Sequence, residues 1–541
     1  MSIDEANPPL VHSPEETPAG LTGKNWDVII VGSGAGGATM AHRLAKTGKS
    51  ILVLERGERL PIEPENWSPA AVWIQSRYRT KEKWLDKKGK EFRPNTHYWA
   101  GGNTMFYGAA LMRFRKRDFE EVTHAGGVSP AWPIRYDDLA PYYSEAEQLW
   151  SVHGERGADP SDDADAPAYA HAPLAHDPGV SAIRGIFLRR GWKPYPLPLG
   201  ILRNADTPWD SPCIRCSTCG GHPCLRMGKS DARRILNMAE KHSNVVLLTG
   251  RKAMRIETDG PGRVATHVVC ETAGGEEKFR GDIIVLAAGA VNSAALLLNS
   301  RSPTHPNGLA NGSDQVGRNY MFHTSTATIS VSPQPVEAPF PKTMGLSDFY
   351  WNDPEGGFEF PMGHVQLLEY MSADTIKGHL SSKLPAWFIP TILLGAMEKR
   401  MIAFLTMSED LPLPENRVRV TPEGRIALDY TFNNLQGHLR LRKKLRQTLD
   451  KAGLMCHCLQ GFKFSMDELL PLYGTAHQNG TLRMGDDPAS SPIDRDCKAH
   501  ELDNLYVADA SVFCSSAAVN PVLTLVANSM RVGDGIARRW A

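Results

Sequence analysis

The sequence predicts an α/β fold of two parts, and three observations carry that prediction. A short apolar run opens directly into a glycine-rich turn followed by an amphipathic segment. Apolar strands of the same kind return far along the chain, at Asp282-Ile283-Ile284-Val285-Leu286-Ala287 and Leu505-Tyr506-Val507-Ala508. Between them, residues 323–470 mix strand-like segments with few glycine signals. That stretch marks a second, α+β domain whose sheet is expected to be mostly antiparallel. A chain of 541 residues is long enough for two to four structural units at roughly 100–200 residues each.

Residues 1–24 are rich in Pro, Glu and Ser and read as a disordered tail. They contain no apolar export segment and no twin arginine, so a cytoplasmic protein is expected. Trp26-Asp27-Val28-Ile29-Ile30-Val31 then has the unbroken apolarity of a parallel strand buried on both faces. It leads into Gly32-Ser33-Gly34-Ala35-Gly36-Gly37, a helix predicted from Ala38 to about Thr47, and a second strand from Ser50 to Glu55. Strand, crossover helix and parallel strand within about 30 residues form one βαβ unit.

Within that unit, Gly32-x-Gly34-x-x-Gly37 places glycine where a dinucleotide site needs it. The first allows the tight turn, the second lets backbone approach a pyrophosphate, and the third lets helix pack on strand. A helix N-terminus adds free N–H groups and a positive dipole end. Glu55 ends the second strand 18 residues after Gly37, where a carboxylate accepts from a ribose diol and repels a 2′-phosphate, which argues against NADP. NAD dehydrogenases usually complete this fold in one contiguous stretch. Here the returning strands, followed by Ala288-Gly289-Ala290 and by Asp509-Ala510-Ser511, favour FAD.

Other features narrow the functional class. Lys+Arg and Asp+Glu number 60 each, which gives no support for nucleic-acid binding or electrostatic recruitment to a membrane. The apolar stretch Leu384–Met397 contains Pro385 and Pro390, is too short to span a bilayer, and reads as a buried loop or pocket wall. In the basic run Leu439–Arg446, Leu441, Leu445 and Leu449 recur every four residues, the buried stripe of an amphipathic helix. Residues 154–178 read as a long surface loop. Trp132 and Trp351 could offer stacking faces to a ligand, although most aromatics simply fill core. Cys213-x-x-Cys216-x-x-Cys219 with Cys224 is open to three readings: a cluster of thiols, a zinc or iron–sulfur site, or a disulfide. Its spacing departs from the ferredoxin run, and no metal ligand is assigned. Cys270, Cys456, Cys458, Cys497 and Cys514 are scattered and read as core or near-surface thiols.

Several motifs together resemble the glucose–methanol–choline family of FAD oxidoreductases from about Asn25 to the C-terminus. They are the fingerprint with Glu55, Trp99-Ala100-Gly101-Gly102-Asn103-Thr104-Met105-Phe106-Tyr107-Gly108, Gly289-Ala290-Val291-Asn292-Ser293, Gly474-Thr475-Ala476-His477-Gln478-Asn479-Gly480 and Asn520-Pro521-Val522-Leu523-Thr524. Trp132-Pro133-Ile134, Tyr136-Asp137-Asp138-Leu139 and Val316-Gly317-Arg318-Asn319 also fit. Within the family, the cysteine stretch and the Gly-Gly-Asn variant are most similar to bacterial pyranose oxidases and glycoside 3-oxidases. Where fungal pyranose oxidases attach FAD through a histidine, this chain has Phe106, and His97 precedes the glycines, so noncovalent FAD is expected.

The resemblance implies His477 as general base and Asn520 as its partner near the flavin, with His323 left as a structural residue. It places FAD contacts on Gly32, Gly34, Gly37, Glu55, Arg56, Gly102, Asn103, Tyr107, Gly108, Ala109, Ala253, Asp509, Ala510, Pro521 and Val522. The implied FAD domain comprises residues 25–60, 96–115, 228–322 and 484–541; 61–95, 116–227 and 323–483 form the substrate domain and its insertions. The expected reaction is oxidation of a secondary hydroxyl, at C3 or C2 of a pyranose or glycoside, to the ketone. Either dioxygen or a quinone or other acceptor could reoxidise the flavin; an oxidase is favoured over a dehydrogenase. A dehydrogenase passing electrons to a quinone or carrier protein, and a lyase-type member with structural FAD, are the alternatives.

Overall fold

A computed structural model describes residues 20–380, 391–454, 467–474 and 476–540. The expectations for residues 1–19, Leu384–Pro390, Cys456, Cys458 and Thr475 fall outside the described residues. In chain order, β1 (Asn25–Val31), α1 (Ala35–Ala45) and β2 (Ile51–Leu54) are followed by β3 (Tyr195–Pro196), α2 (Ala232–Ala239) and β4 (Val245–Leu248). Then come β5 (Lys252–Thr258), β6 (Ala265–Thr272), β7 (Gly275–Leu286) and α3 (Ala290–Asn299). The second sheet and the C-terminal return use β8 (Thr324–Val331), β9 (Met344–Leu346), β10 (His364–Leu367), β11 (Met401–Ser408), α4 (Leu435–Lys451), β12 (Asp467–Leu469), β13 (Leu505–Val507) and α5 (Val522–Ala537).

The first sheet has the order β4-β2-β1-β7-β6-β5, with β13 also paired to β7. Its β4, β2, β1, β7 and β13 pairings are parallel, while β5, β6 and the first half of β7 form antiparallel hairpins. Trp26, Val28, Ile29, Ile30 and the whole of β2 are buried, because a parallel strand between two layers has no solvent face. This is the Rossmann-type half expected from the βαβ unit. Helix α1 begins at Ala35, one turn earlier than the sequence suggests. Glycine's weak helix propensity hides Gly36 and Gly37, yet the fold needs them in the first turn.

The second sheet, β12-β8-β11-β10-β9-β3, is antiparallel throughout, as expected for the second domain. One face carries Val365, Leu367, Ile402 and Phe404 against Leu441, Leu445 and Leu449 of α4, the predicted apolar stripe. His438 of that helix also meets the hydroxyls of Thr326 at 2.7 Å and Ser408 at 2.9 Å. The opposite face, carrying His364 and Gln366, is turned away from α4. Among the described residues, no helix is long and apolar enough to cross a membrane.

Candidate active site

The glycine turn is built by close approaches that a side chain would block. Gly32 has φ +101°, and a Cβ there would stand 2.5 Å from the Ala287 carbonyl oxygen at the end of β7. A Cβ on Gly37 would lie 1.9 Å from the Gly32 carbonyl oxygen, so this glycine lets helix α1 settle on the strand. Gly36, which the fingerprint reading passed over, is equally constrained, at 1.7 Å from the Ala508 carbonyl oxygen. Gly34, the N-cap of α1, differs: nothing lies within 4 Å of its Cβ position. That open side, faced by a helix N-terminus, fits a pyrophosphate.

Glu55 is buried and accepts from Ser33 N at 3.0 Å, Ser33 Oγ at 2.7 Å and Gly57 N at 2.8 Å. Burial raises its pKa, and these donors oppose the rise. A carboxylate offers about four lone-pair directions, so one remains for a ribose hydroxyl. Ser33 Oγ also accepts from Gly101 N at 3.1 Å, which ties the Gly-Gly segment to the fingerprint. Gly102 reinforces the junction, since its Cβ position lies 3.2 Å from Gly34 Cα. Arg56 stacks its guanidinium 3.6 Å from the Tyr98 ring centroid and pairs with Glu82 at 3.2 Å.

Asn103 accepts from His97 N at 2.9 Å, and the His97 ring stacks on Phe106 with centroids 3.8 Å apart. Tyr107 donates to the Ser230 carbonyl, and Ala109, at φ +58°, is fully buried. Ala253 lies on β5 opposite Cys270, beside a β-bulge. The Asp509 carboxylate accepts from Gly289 N at 3.0 Å, Ser293 Oγ at 2.5 Å, Ser511 N at 2.9 Å and Ser511 Oγ at 2.5 Å. With four protein donors on it, this side chain clasps the second signature to the C-terminal return. The Ala510 carbonyl accepts from Gly480 N at 3.1 Å, binding that return to the segment carrying His477.

The two C-terminal motifs converge. Met321 and Asn479 exchange backbone hydrogen bonds at 3.1 and 2.9 Å as an isolated antiparallel bridge. Two residues outward on each side, that register sets His323 opposite His477, and their Nδ1 atoms are 3.0 Å apart. His323 Nε2 lies 2.9 Å from the Ser516 carbonyl, which can only accept. His323 therefore carries its proton on Nε2 and accepts at Nδ1, so His477 donates from Nδ1. The Nε2 of His477 is left with a free lone pair, the form a general base requires. Burial pushes His323 down to about 4. It also pushes His477 well below its ordinary value, with His323 and Lys342 acting in the same direction.

His323, read from the sequence as a structural residue, is fully buried, bonded to His477 and held at φ +71°. Left-handed backbone at a non-glycine residue is costly and gathers at functional sites. Asn520 is buried with its Oδ1 unpartnered among the described residues; Pro521 caps and Val522 opens α5 immediately after it. Lys342 and Glu369 pair at 2.7 Å beside Gly108, whose Cβ would fall within 2.0 Å of both side chains.

Trp132 is no sugar platform: it is buried among Phe114, Phe119 and Phe513 and donates to Ser515 Oγ at 2.7 Å. Trp351 stacks with Arg117 at 4.7 Å. Cys213, Cys216, Cys219 and Cys224 line one small cavity with Lys229 and Phe340, and all four are free thiols. Among the described residues, no three His, Cys, Asp or Glu side chains are placed to hold a metal ion.

A dinucleotide cradle thus lies in one fold with a buried histidine pair whose outer member has an unprotonated Nε2. The comparisons identify the class. The GMC oxidoreductase models match residues 197–325 and 418–529, and a NAD(P)-binding Rossmann-like model matches 30–61. Paromamine 6'-oxidase of Streptomyces fradiae is 31% identical, the alignment covering 95% of this chain and 91% of that protein. The 6'''-hydroxyparomomycin C oxidase of Streptomyces lividus is 30% identical over 96% of this chain and 93% of its own. A formate oxidase structure from Aspergillus oryzae superposes with TM-score 0.64 at 16% identity, covering 96% of this chain and 99% of that one. The chain belongs to the GMC oxidoreductase family, whose cofactor is FAD.

Proposed function

We propose that this protein oxidises a secondary ring hydroxyl of a pyranose sugar or glycoside, at C3 or C2, to the ketone, with dioxygen as electron acceptor. The observation that carries the chemistry is the tautomer chain from the Ser516 carbonyl through His323 to His477, which leaves His477 Nε2 unprotonated. In this reading His477 Nε2 takes the hydroxyl proton while the carbon-bound hydrogen leaves with its electron pair, and the C–O bond becomes a carbonyl. Bound FAD supplies the acceptor for that hydride. Asn520 orients the substrate by donating from its amide to the reacting hydroxyl's oxygen, which leaves its free Oδ1 to accept from a neighbouring hydroxyl. Enclosure keeps the base neutral near pH 7 and excludes competing water.

Gly32, Gly34 and Gly37 would hold the pyrophosphate, Glu55 the ribose, and Gly102, Asn103, Tyr107, Gly108 and Ala109 the flavin side. Arg56, Ala253, Asp509, Ala510, Pro521 and Val522 would complete a noncovalent FAD site. Residues 25–60, 96–115, 228–322 and 484–541 form the FAD domain in this account, the remainder from 61 onward the substrate domain, and the protein works in the cytoplasm. The 6' in the printed name of the paromamine oxidase favours a second reading, oxidation of a primary hydroxyl to an aldehyde.

The test is an anaerobic visible spectrum of the purified holoprotein titrated with glucose and an aryl glucoside, then opened to air. Bleaching of the flavin band, recovery in air with peroxide and a keto product support the proposal. An aldehyde product supports the second reading. Bleaching that persists in air removes the oxidase assignment, and no bleaching removes the substrate class.

A further inference from the structure

We propose that His364 and Gln366 form the hydroxyl-recognition surface of the site, and that it selects a neutral polyhydroxylated sugar over an amino sugar. This rests on the sugar-oxidation reading above. The register pairs His364 with Met407, which pairs with Ser325, and Gln366 with Leu405, which pairs with Ala327. Cross-strand partners share a face and alternate along each strand, so these side chains lie opposite the face packed on α4. Both nitrogens of His364 and both polar side-chain atoms of Gln366 are buried with no hydrogen-bond partner among the described residues. The two residues are 0% and 1% exposed.

Native proteins rarely leave four such atoms unmade on alternate positions of one strand, which points to a ligand that supplies the partners. The surface adjoins the His477 site by register: Ser325, which faces His364 across Met407, lies two residues along the chain from His323, whose Nδ1 meets His477 Nδ1 at 3.0 Å. Asn520 Oδ1 contributes a fifth unpartnered atom. This set mixes donors and acceptors. Sugar hydroxyls, each able to donate and accept, match it without adding charge.

An ammonium group matches it poorly. It donates only, and the Glu369 carboxylate that would receive it already pairs with Lys342 at 2.7 Å. A second cation approaching Gly108 would also meet the Lys342 ammonium there and be repelled.

The experiment uses FAD-loaded His477→Ala protein, in which turnover is slow enough for calorimetry. The probes are methyl β-D-glucopyranoside and its 2-amino-2-deoxy and 6-amino-6-deoxy analogues. The neutral glycoside is expected to bind at least about tenfold more tightly than either amine, a comparison that needs no pocket variant. Adding Gln366→Leu is expected to weaken the neutral glycoside by about 10- to 100-fold with the flavin spectrum retained; His364→Phe serves if the leucine variant loses FAD. Amines that bind as tightly as the hydroxyl compound, or pocket variants with unchanged affinity, would overturn the inference while flavin bleaching by sugars left the functional reading standing. Sugars that neither bind nor bleach the flavin would overturn both.

Discussion

His323→Asn is the perturbation that interrogates the site's architecture most closely. Asparagine tolerates left-handed backbone, so the φ of +71° is retained. Its side chain is too short to reach both the Ser516 carbonyl and His477 Nδ1, now 2.9 and 3.0 Å from the imidazole. His477 then either keeps its Nδ1 proton unpaired or moves it to Nε2, where the lone pair is needed. A buried donor left unmade costs about 1–3 kcal/mol, which lowers the fraction of competent base about 5- to 150-fold. Stopped-flow flavin reduction under anaerobic conditions should show that drop in the limiting rate, with FAD content and substrate affinity unchanged. A positioning residue acts through its partner, so His323→Asn/His477→Ala should be no slower than His477→Ala alone. Multiplied defects in the double variant, or an unaltered rate in the single one, would refute the tautomer argument.

The remaining predictions concern pH, cofactor and packing. A base is active while unprotonated, and burial holds both histidines below the ordinary value of 6.5, His323 at about 4. The limiting rate of flavin reduction should therefore stay level as pH falls from 8 through 6.5 and decline only well below 6.5; a decline centred at 6.5 or higher would contradict it. Glu55→Gln replaces an all-acceptor group with one whose amide faces the donors Ser33 N and Gly57 N, and FAD affinity measured by ultrafiltration should fall about 10- to 100-fold. Gly36→Ala and Gly34→Ala should differ in kind. The first drives a Cβ to within 1.7 Å of the Ala508 carbonyl oxygen and should lower the apoprotein's melting temperature, whereas the second enters open space and should weaken FAD binding in an apoprotein of nearly unchanged stability.

Local physics made much of this structure readable from the sequence. The strand-turn-helix at residues 25–45 is dictated by continuous burial and by glycines that no other residue can replace, so its pattern survives without any tertiary knowledge. The apolar stripe Leu441, Leu445 and Leu449 is legible for the same reason. What escaped reading depends on register. Nothing near His323 in sequence announces that Met321 will bridge Asn479 and set two histidines face to face; the signal exists only once residues 154 positions apart are paired. His364 and Gln366 look like alternation in an ordinary strand until their lack of partners is seen. Strand β4, Val245-Val246-Leu247-Leu248, carried a usable apolar run, and its parallel partner β2 lies nearly two hundred residues upstream. Trp132 could be read either way because an aromatic suits both a core and a sugar platform, and its neighbours place it in the core.

Proton acceptance by His477 in alcohol oxidation is tested by single-turnover flavin reduction in His477→Ala, with bound FAD quantified on the same sample. Full FAD occupancy and a reduction rate at least about 10²-fold below the parent protein are expected. Reduction at the parental rate with FAD bound would contradict it.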